Sequence, residues 1–150
     1  MKLVIFTDGG CSGNPGPAAI GVVIFKDGKV IKEISKAIGE ATNNIAEYTA
    51  VIYALQEALI LKAKEVLVKT DSELMARQLN GQYAVKHANI KPLFEQVKHL
   101  CSGFKSVEVV HVPREQNAQA DGLARNALKA SRDGRPDAFG VGEESPSSKG

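Results

Sequence analysis

The chain of 150 residues predicts an α/β fold carried by one domain. Three observations predict it. Two short apolar runs, Leu3–Thr7 and the run EVLVKTD at 65–71, both end in Thr-Asp and flank an amphipathic helical pattern. Asp27-Gly28 separates two further strand-like runs. A third apolar run, Val107–Val112, is followed by another helical stretch.

Each element has its own local reason. Leu3–Thr7 holds no polar residue before Thr7, so it reads as a strand buried on both faces, ending at Asp8. Gly9–Gly16 reads as loop. Ala18–Phe25 and Lys29–Ala37 form a hairpin through Lys26-Asp27-Gly28-Lys29, because Asp-Gly supplies the positive φ that tight turns need. Lys29–Ser35 mixes charges with Val30, Ile31 and Ile34, the pattern of an edge strand. Asn43 and Asn44 open a helix, with Asn44 and Glu47 at capping-box spacing. Tyr48, Val51, Ile52, Leu55, Ala58 and Leu59 form its apolar stripe. Two strands joined through a helix imply a right-handed crossover with parallel strands. Their carboxyl ends then share one edge of the sheet, which sets Asp8 and Asp71 about 5 Å apart.

Ser72–Leu79 reads as a short helix capped by Asp71 or Ser72 and stopped by Gly81. Ile90–Leu100 is amphipathic, and Val107–Val112 reads as a third buried strand, with His111 structural. The loop PREQNAQ leads into a helix from about Ala118 to Ala130. The domain is therefore expected over 1–130. Residues 131–150, rich in Gly, Pro and Ser, read as a disordered tail.

Composition excludes several functions. No apolar run approaches the ~20 residues of a membrane helix, and the N-terminus has no signal-peptide pattern. Cys11 and Cys101 make no disulfide framework, so a reducing cytoplasm is the expected compartment. Net charge is +2. Basic residues gather locally at Lys86, His87, Lys91, Lys98, His99 and Lys105, opposed by Glu95 alone, as either a solvated face or a weak polyanion surface.

The chemistry rests on four acids, Asp8, Glu47, Asp71 and Asp121, each at the boundary of an apolar run. Singly, each has a structural reading: Asp71 as a helix cap, Glu47 and Asp121 as complements to helix dipoles. Together at one sheet edge they would repel unless cations neutralise them. An oxygen-only ligand set favours Mg²⁺ or Mn²⁺, and Cys and His at zinc-ligand spacing are absent. Pairs of such ions suit in-line displacement at phosphorus.

The segments TDGGCSGNPGPAAIGVVI, TNNIAEYTAVIYAL, VKTDSELMARQLNG and VPREQNAQADGLAR occur in that order between Met1 and Ala130. They resemble the four motif regions of the type 1 ribonuclease H family. The resemblance implies a ribonuclease H-like fold, a five-stranded mixed sheet flanked by helices. It also implies a monomer that cleaves the RNA strand of RNA–DNA hybrids with two Mg²⁺ ions, leaving 3′-hydroxyl and 5′-phosphate ends. Asp8, Glu47, Asp71 and Asp121 then match the metal-ligand positions. Gly10, Cys11, Asn14 and Asn43 match residues that read the minor groove, where the 2′-hydroxyl marks RNA, and Thr42 matches a phosphate contact on the DNA strand. Three departures stand out. Arg114 replaces a loop His; it can orient a phosphate or assist product release but cannot shuttle a proton. The basic, Trp-containing protrusion is missing, with Lys86, Lys91 and Lys98 as a weaker substitute. Glu73 stands where a Gln often contacts RNA. These features resemble a subgroup with Arg in the loop and no protrusion. Two alternatives remain: a nuclease of this fold that also cuts double-stranded RNA, and a catalytically silent hybrid-binding module.

Overall fold

The computed structural model describes residues 1–132. The tail expected over 131–150 lies outside the described residues beyond Arg132. Five strands form one mixed sheet: β1 (Lys2–Cys11), β2 (Gly16–Lys26), β3 (Lys29–Ala41), β4 (Glu65–Thr70) and β5 (Ser106–His111). Their spatial order is β3-β2-β1-β4-β5. β1, β2 and β3 pair antiparallel, whereas β4 runs parallel to β1 and β5 parallel to β4. The crossover from the hairpin to β4 passes through α1 (Asn43–Ile60). α2 (Glu73–Leu79), α3 (Lys91–Cys101) and α4 (Ala118–Arg132) complete the set, with a short 3₁₀ turn at Arg114–Asn117.

The five-stranded mixed sheet expected from the resemblance is present. The main core lies between the sheet and α1, built on Leu3, Ile5, Val22, Val51, Leu55, Val68 and Val97. α4 packs on β2, β3 and β1 and does not reach β4 or β5 to a comparable extent. The Asp27-Gly28 turn has φ of 52° and 78°, as a two-residue hairpin with right-twisted strands requires. β3 is an edge strand, in agreement with its charge pattern.

Three local expectations need correction. β1 does not end at Asp8: it continues to Cys11, because Gly9, Gly10 and Cys11 pair with Ile20, Ala19 and Ala18 of β2. β5 is an edge strand rather than a buried one; only Val109 is buried, and His111 is exposed. The cap of α1 is Thr42, whose hydroxyl accepts from the Ile45 N–H at 3.2 Å, not Asn44. Of the two caps the sequence offers for α2, Asp71 and Ser72, it is the Ser72 hydroxyl that accepts from Met75 N–H.

Candidate active site

β1 and β4 pair in parallel from Lys2↔Glu65 to Thr7↔Thr70, and there β4 ends. Asp8 and Asp71 are thus the next residue on each strand, side by side as the two Thr-Asp ends implied. Among the described residues no strand covers that flank of β1 beyond Thr70, so side chains from several elements can meet beside Asp8.

Two glycines bring helices to that point. A Cβ on Gly9 would lie 2.3 Å from Ala46 C and O and 2.7 Å from Glu47 N, so only glycine lets α1 sit so close to β1. Gly21 pairs with Asp8 across β1 and β2. A Cβ there would lie 2.0 Å from Ala120 O, so α4 rests directly on β2 one residue before Asp121. Glu47 and Asp121 are each set in place by the bare backbone of a neighbouring strand.

Carboxylate oxygens of Asp8, Glu47 and Asp71 lie within 4.8 Å of one another. Asp121 joins them from one side: its carboxyl bears on that of Asp8 and pairs with Arg125 one turn along α4. Arg114 stands on the other side, its Nε 3.7 Å from Asp71 Oδ2. Its side chain is 80% exposed, against 6% for Asp71.

The electrostatics follow from burial and crowding. Burial first, then Asp71 and Asp121, push the Asp8 carboxyl up from 3.8 to about 7, and Arg114 counteracts them. Glu47 is pushed well above its ordinary value by burial and then by Asp8 and Asp71; the Gly9 N–H and Arg114 oppose the rise. Among the described residues Glu47 Oε1, which is buried, has no hydrogen-bond partner. A buried, unpaired carboxylate oxygen is costly unless something positive meets it. Crowded acids with one orphaned oxygen are the arrangement a hard divalent cation relieves. The residues present therefore fit the metal expected from the sequence.

Asp8, Glu47, Arg114 and Asp121 line one cleft of about 330 Å³ together with Gly10, Cys11 and Asn43. The expected substrate loop is internally locked. Asn43 Oδ1 accepts from Cys11 N–H at 3.1 Å and from its thiol at 3.2 Å, and Asn14 Oδ1 accepts from Asn43 N–H at 3.0 Å. Asn14 thus belongs to the loop's framework behind the cleft lining. Thr42 lies outside that lining and spends its oxygen on capping α1. Lys86 is exposed in the segment before α3, also outside the cleft. Glu73 is held by Arg77 at 2.9 Å, which neutralises the acid on that side.

Sequence reasoning missed Arg125, Ala124 and Leu128, which complete the cleft. Arg125 was visible as the i+4 partner of Asp121. Gly21, a lone glycine inside a strand pattern, was a sign of close backbone approach.

Residues 6–127 match the family model described as "Reverse transcriptase-like". The chain is 41% identical over its whole length to the bifunctional protein Rv2228c of Mycobacterium tuberculosis, and spans 43% of that protein. It is 32% identical to a ribonuclease H of Geotalea uraniireducens, over 91% of the chain and all of the relative. Among solved structures, LC11-RNase H1 in complex with RNA/DNA hybrid superposes with a TM-score of 0.83 at 43% identity, over 87% of this chain and 99% of that one.

Proposed function

The chain belongs to the ribonuclease H family, and from that premise we propose that it is a metal-dependent endoribonuclease acting on the RNA strand of RNA–DNA hybrids. One observation carries the proposal: carboxylate oxygens of Asp8, Glu47 and Asp71 converge within 4.8 Å, and the buried Glu47 Oε1 has no partner among the described residues. A similar structure was solved with a hybrid bound, which supports the choice of substrate.

Asp8, Glu47, Asp71 and Asp121 would hold a pair of Mg²⁺ ions, with Mn²⁺ as an alternative. When bound, the ions supply positive charge against which the attacking water and the leaving 3′-oxygen become negative, so that cleavage leaves 5′-phosphate and 3′-hydroxyl ends. The remaining work falls to the chain itself. Arg114, nearly free in solvent beside Asp71, reaches toward the scissile phosphate and orients it. It transfers no proton, so the leaving oxygen takes its proton from solvent. Gly10, Cys11 and Asn43 face the minor groove, where closely approaching backbone and amide groups read the 2′-hydroxyl. Asn14 holds that loop in shape. The Thr42 hydroxyl keeps its own proton for a DNA-strand phosphate at the N-terminus of α1. Lys86 adds a longer-range phosphate contact. The protein acts as a monomer in a reducing cytoplasm, consistent with its two free cysteines.

The test is cleavage of matched hybrid, RNA duplex and DNA duplex, with Mg²⁺ and with chelator, on strands carrying one ribonucleotide patch. Cuts confined to RNA opposite DNA, dependent on metal and lost in Asp8→Asn, are expected. Equal cleavage of DNA duplex, or full activity in Asp8→Asn, overturns the proposal.

A further inference from the structure

We propose that Asn117 is a positioning residue that sets where Arg114 and Asp121 stand relative to Asp8, an inference that rests on the nuclease reading above. The segment between β5 and α4 is tethered at two points. At its start, Val112 N–H donates to Thr70 O at 2.8 Å. At its end, the Asn117 side-chain amide donates to Thr7 O at 2.9 Å, across 110 residues of sequence. Thr70 and Thr7 are the residues immediately before Asp71 and Asp8. Each tether therefore fastens the segment to the strand residue that presents a site acid.

Between the tethers Pro113, Arg114, Glu115 and Gln116 are exposed, whereas Asn117 is fully buried. The Arg114 side chain has solvent on most sides and, among the described residues, an ion pair with Asp71 alone, so its reach is set by its backbone anchors. Asn117 closes the 3₁₀ turn that begins at Arg114 and lies four residues before Asp121 of α4, so the same anchor bears on both. One amide thus governs two residues of the site.

The cost of the arrangement argues against a merely structural role. Asn117 Oδ1 and Thr7 Oγ1 are both buried, with no hydrogen-bond partner among the described residues. A buried amide with one end unsatisfied is a poor space-filler, and an apolar side chain would fill that volume more stably. What an apolar side chain lacks is the single donor to Thr7 O.

Two variants separate the readings. Asn117→Asp keeps the volume and removes the donor; Asn117→Ala removes both. For variants that remain folded by circular dichroism, kcat on the hybrid is expected to fall about 10- to 100-fold, with KM changed less than about threefold. Combining either with Arg114→Ala should cost less than the product of the single losses, because both act through one group. Calorimetric Mg²⁺ titration of the free protein should show several-fold weaker binding. In the native protein, the Asn117 side-chain amide protons should exchange far more slowly than those of exposed Asn126. Unchanged kcat and Mg²⁺ affinity with only a lower melting temperature would make Asn117 structural and overturn the proposal. Fast exchange of its amide would do the same with no variant at all. If the parent fails to cut hybrid, the nuclease reading fails, and Mg²⁺ titration and exchange still decide the role of Asn117.

Discussion

Replacing Asp8 by Asn should make the metal-free protein more stable at alkaline pH, although it removes a residue from the heart of the site. The carboxyl is 8% exposed, and burial, Asp71 and Asp121 push it from 3.8 to about 7. A group whose pKa is raised on folding binds its proton more tightly in the folded state, so its stabilising effect is complete below pH 4 and is lost as pH rises through about 7. At ~1.4 kcal/mol for each tenfold change in proton affinity, that loss is on the order of 4 kcal/mol. Asn carries no such charge at any pH, and its amide also relieves Glu47, whose carboxyl Asp8 helps to push up. The assay is thermal unfolding of parent and Asp8→Asn in chelator from pH 4 to pH 9. Near pH 4 the two should melt together. By pH 8 the variant should melt about 10 °C higher, given ~2–4 °C per kcal/mol for a domain of this size. Adding Mg²⁺ should close the gap by stabilising the parent more. A variant that melts lower at pH 8, or a gap of constant size at every pH, would show that Asp8 is held by hydrogen bonds rather than strained by its neighbours.

Further outcomes follow from the same geometry. Gly21→Ala places a methyl 2.0 Å from Ala120 O, so α4 must lift; a loss of about 3 kcal/mol in urea unfolding is expected, with activity falling in the fraction still folded. Arg114→Ala removes the cation that holds down Asp8 and Glu47, so the acid limb of the pH–rate profile should move to higher pH, with Arg114→Lys in between. Glu47→Gln should abolish metal-dependent cleavage while raising the metal-free melting temperature above neutral pH, by the same sign as for Asp8. Lys86→Ala should weaken hybrid binding uniformly across sequences and lower the slope of log affinity against log salt by about one.

The parts of the molecule legible in its sequence are those decided by local chemistry. The repeated apolar-Thr-Asp ends marked two parallel strands and placed Asp8 beside Asp71, because pairing in register needs little beyond equal runs and a helix between them. Asp27-Gly28 specified its turn outright. What escaped was decided by neighbours distant in sequence. Gly9, Gly10 and Cys11 carry no strand signal and extend β1 only because β2 runs alongside them. VEVVHV has the same apolar content at an edge as in a sheet's middle; nothing in the six residues says that no strand lies beyond. Thr42 and Asn44 are both good caps, and the choice fell to Thr42 because its hydroxyl meets the Ile45 N–H, three residues on. Asn117 was invisible, since its partner is a backbone carbonyl 110 residues away.

The site is drawn from the whole span of the described chain: Asp8 near one end, Glu47 and Asp71 in the middle, Arg114 and Asp121 close to the other. A chain still emerging from the ribosome therefore holds its first acids long before its last. The set of four acids is complete only once α4, which carries Asp121, has packed against Gly21.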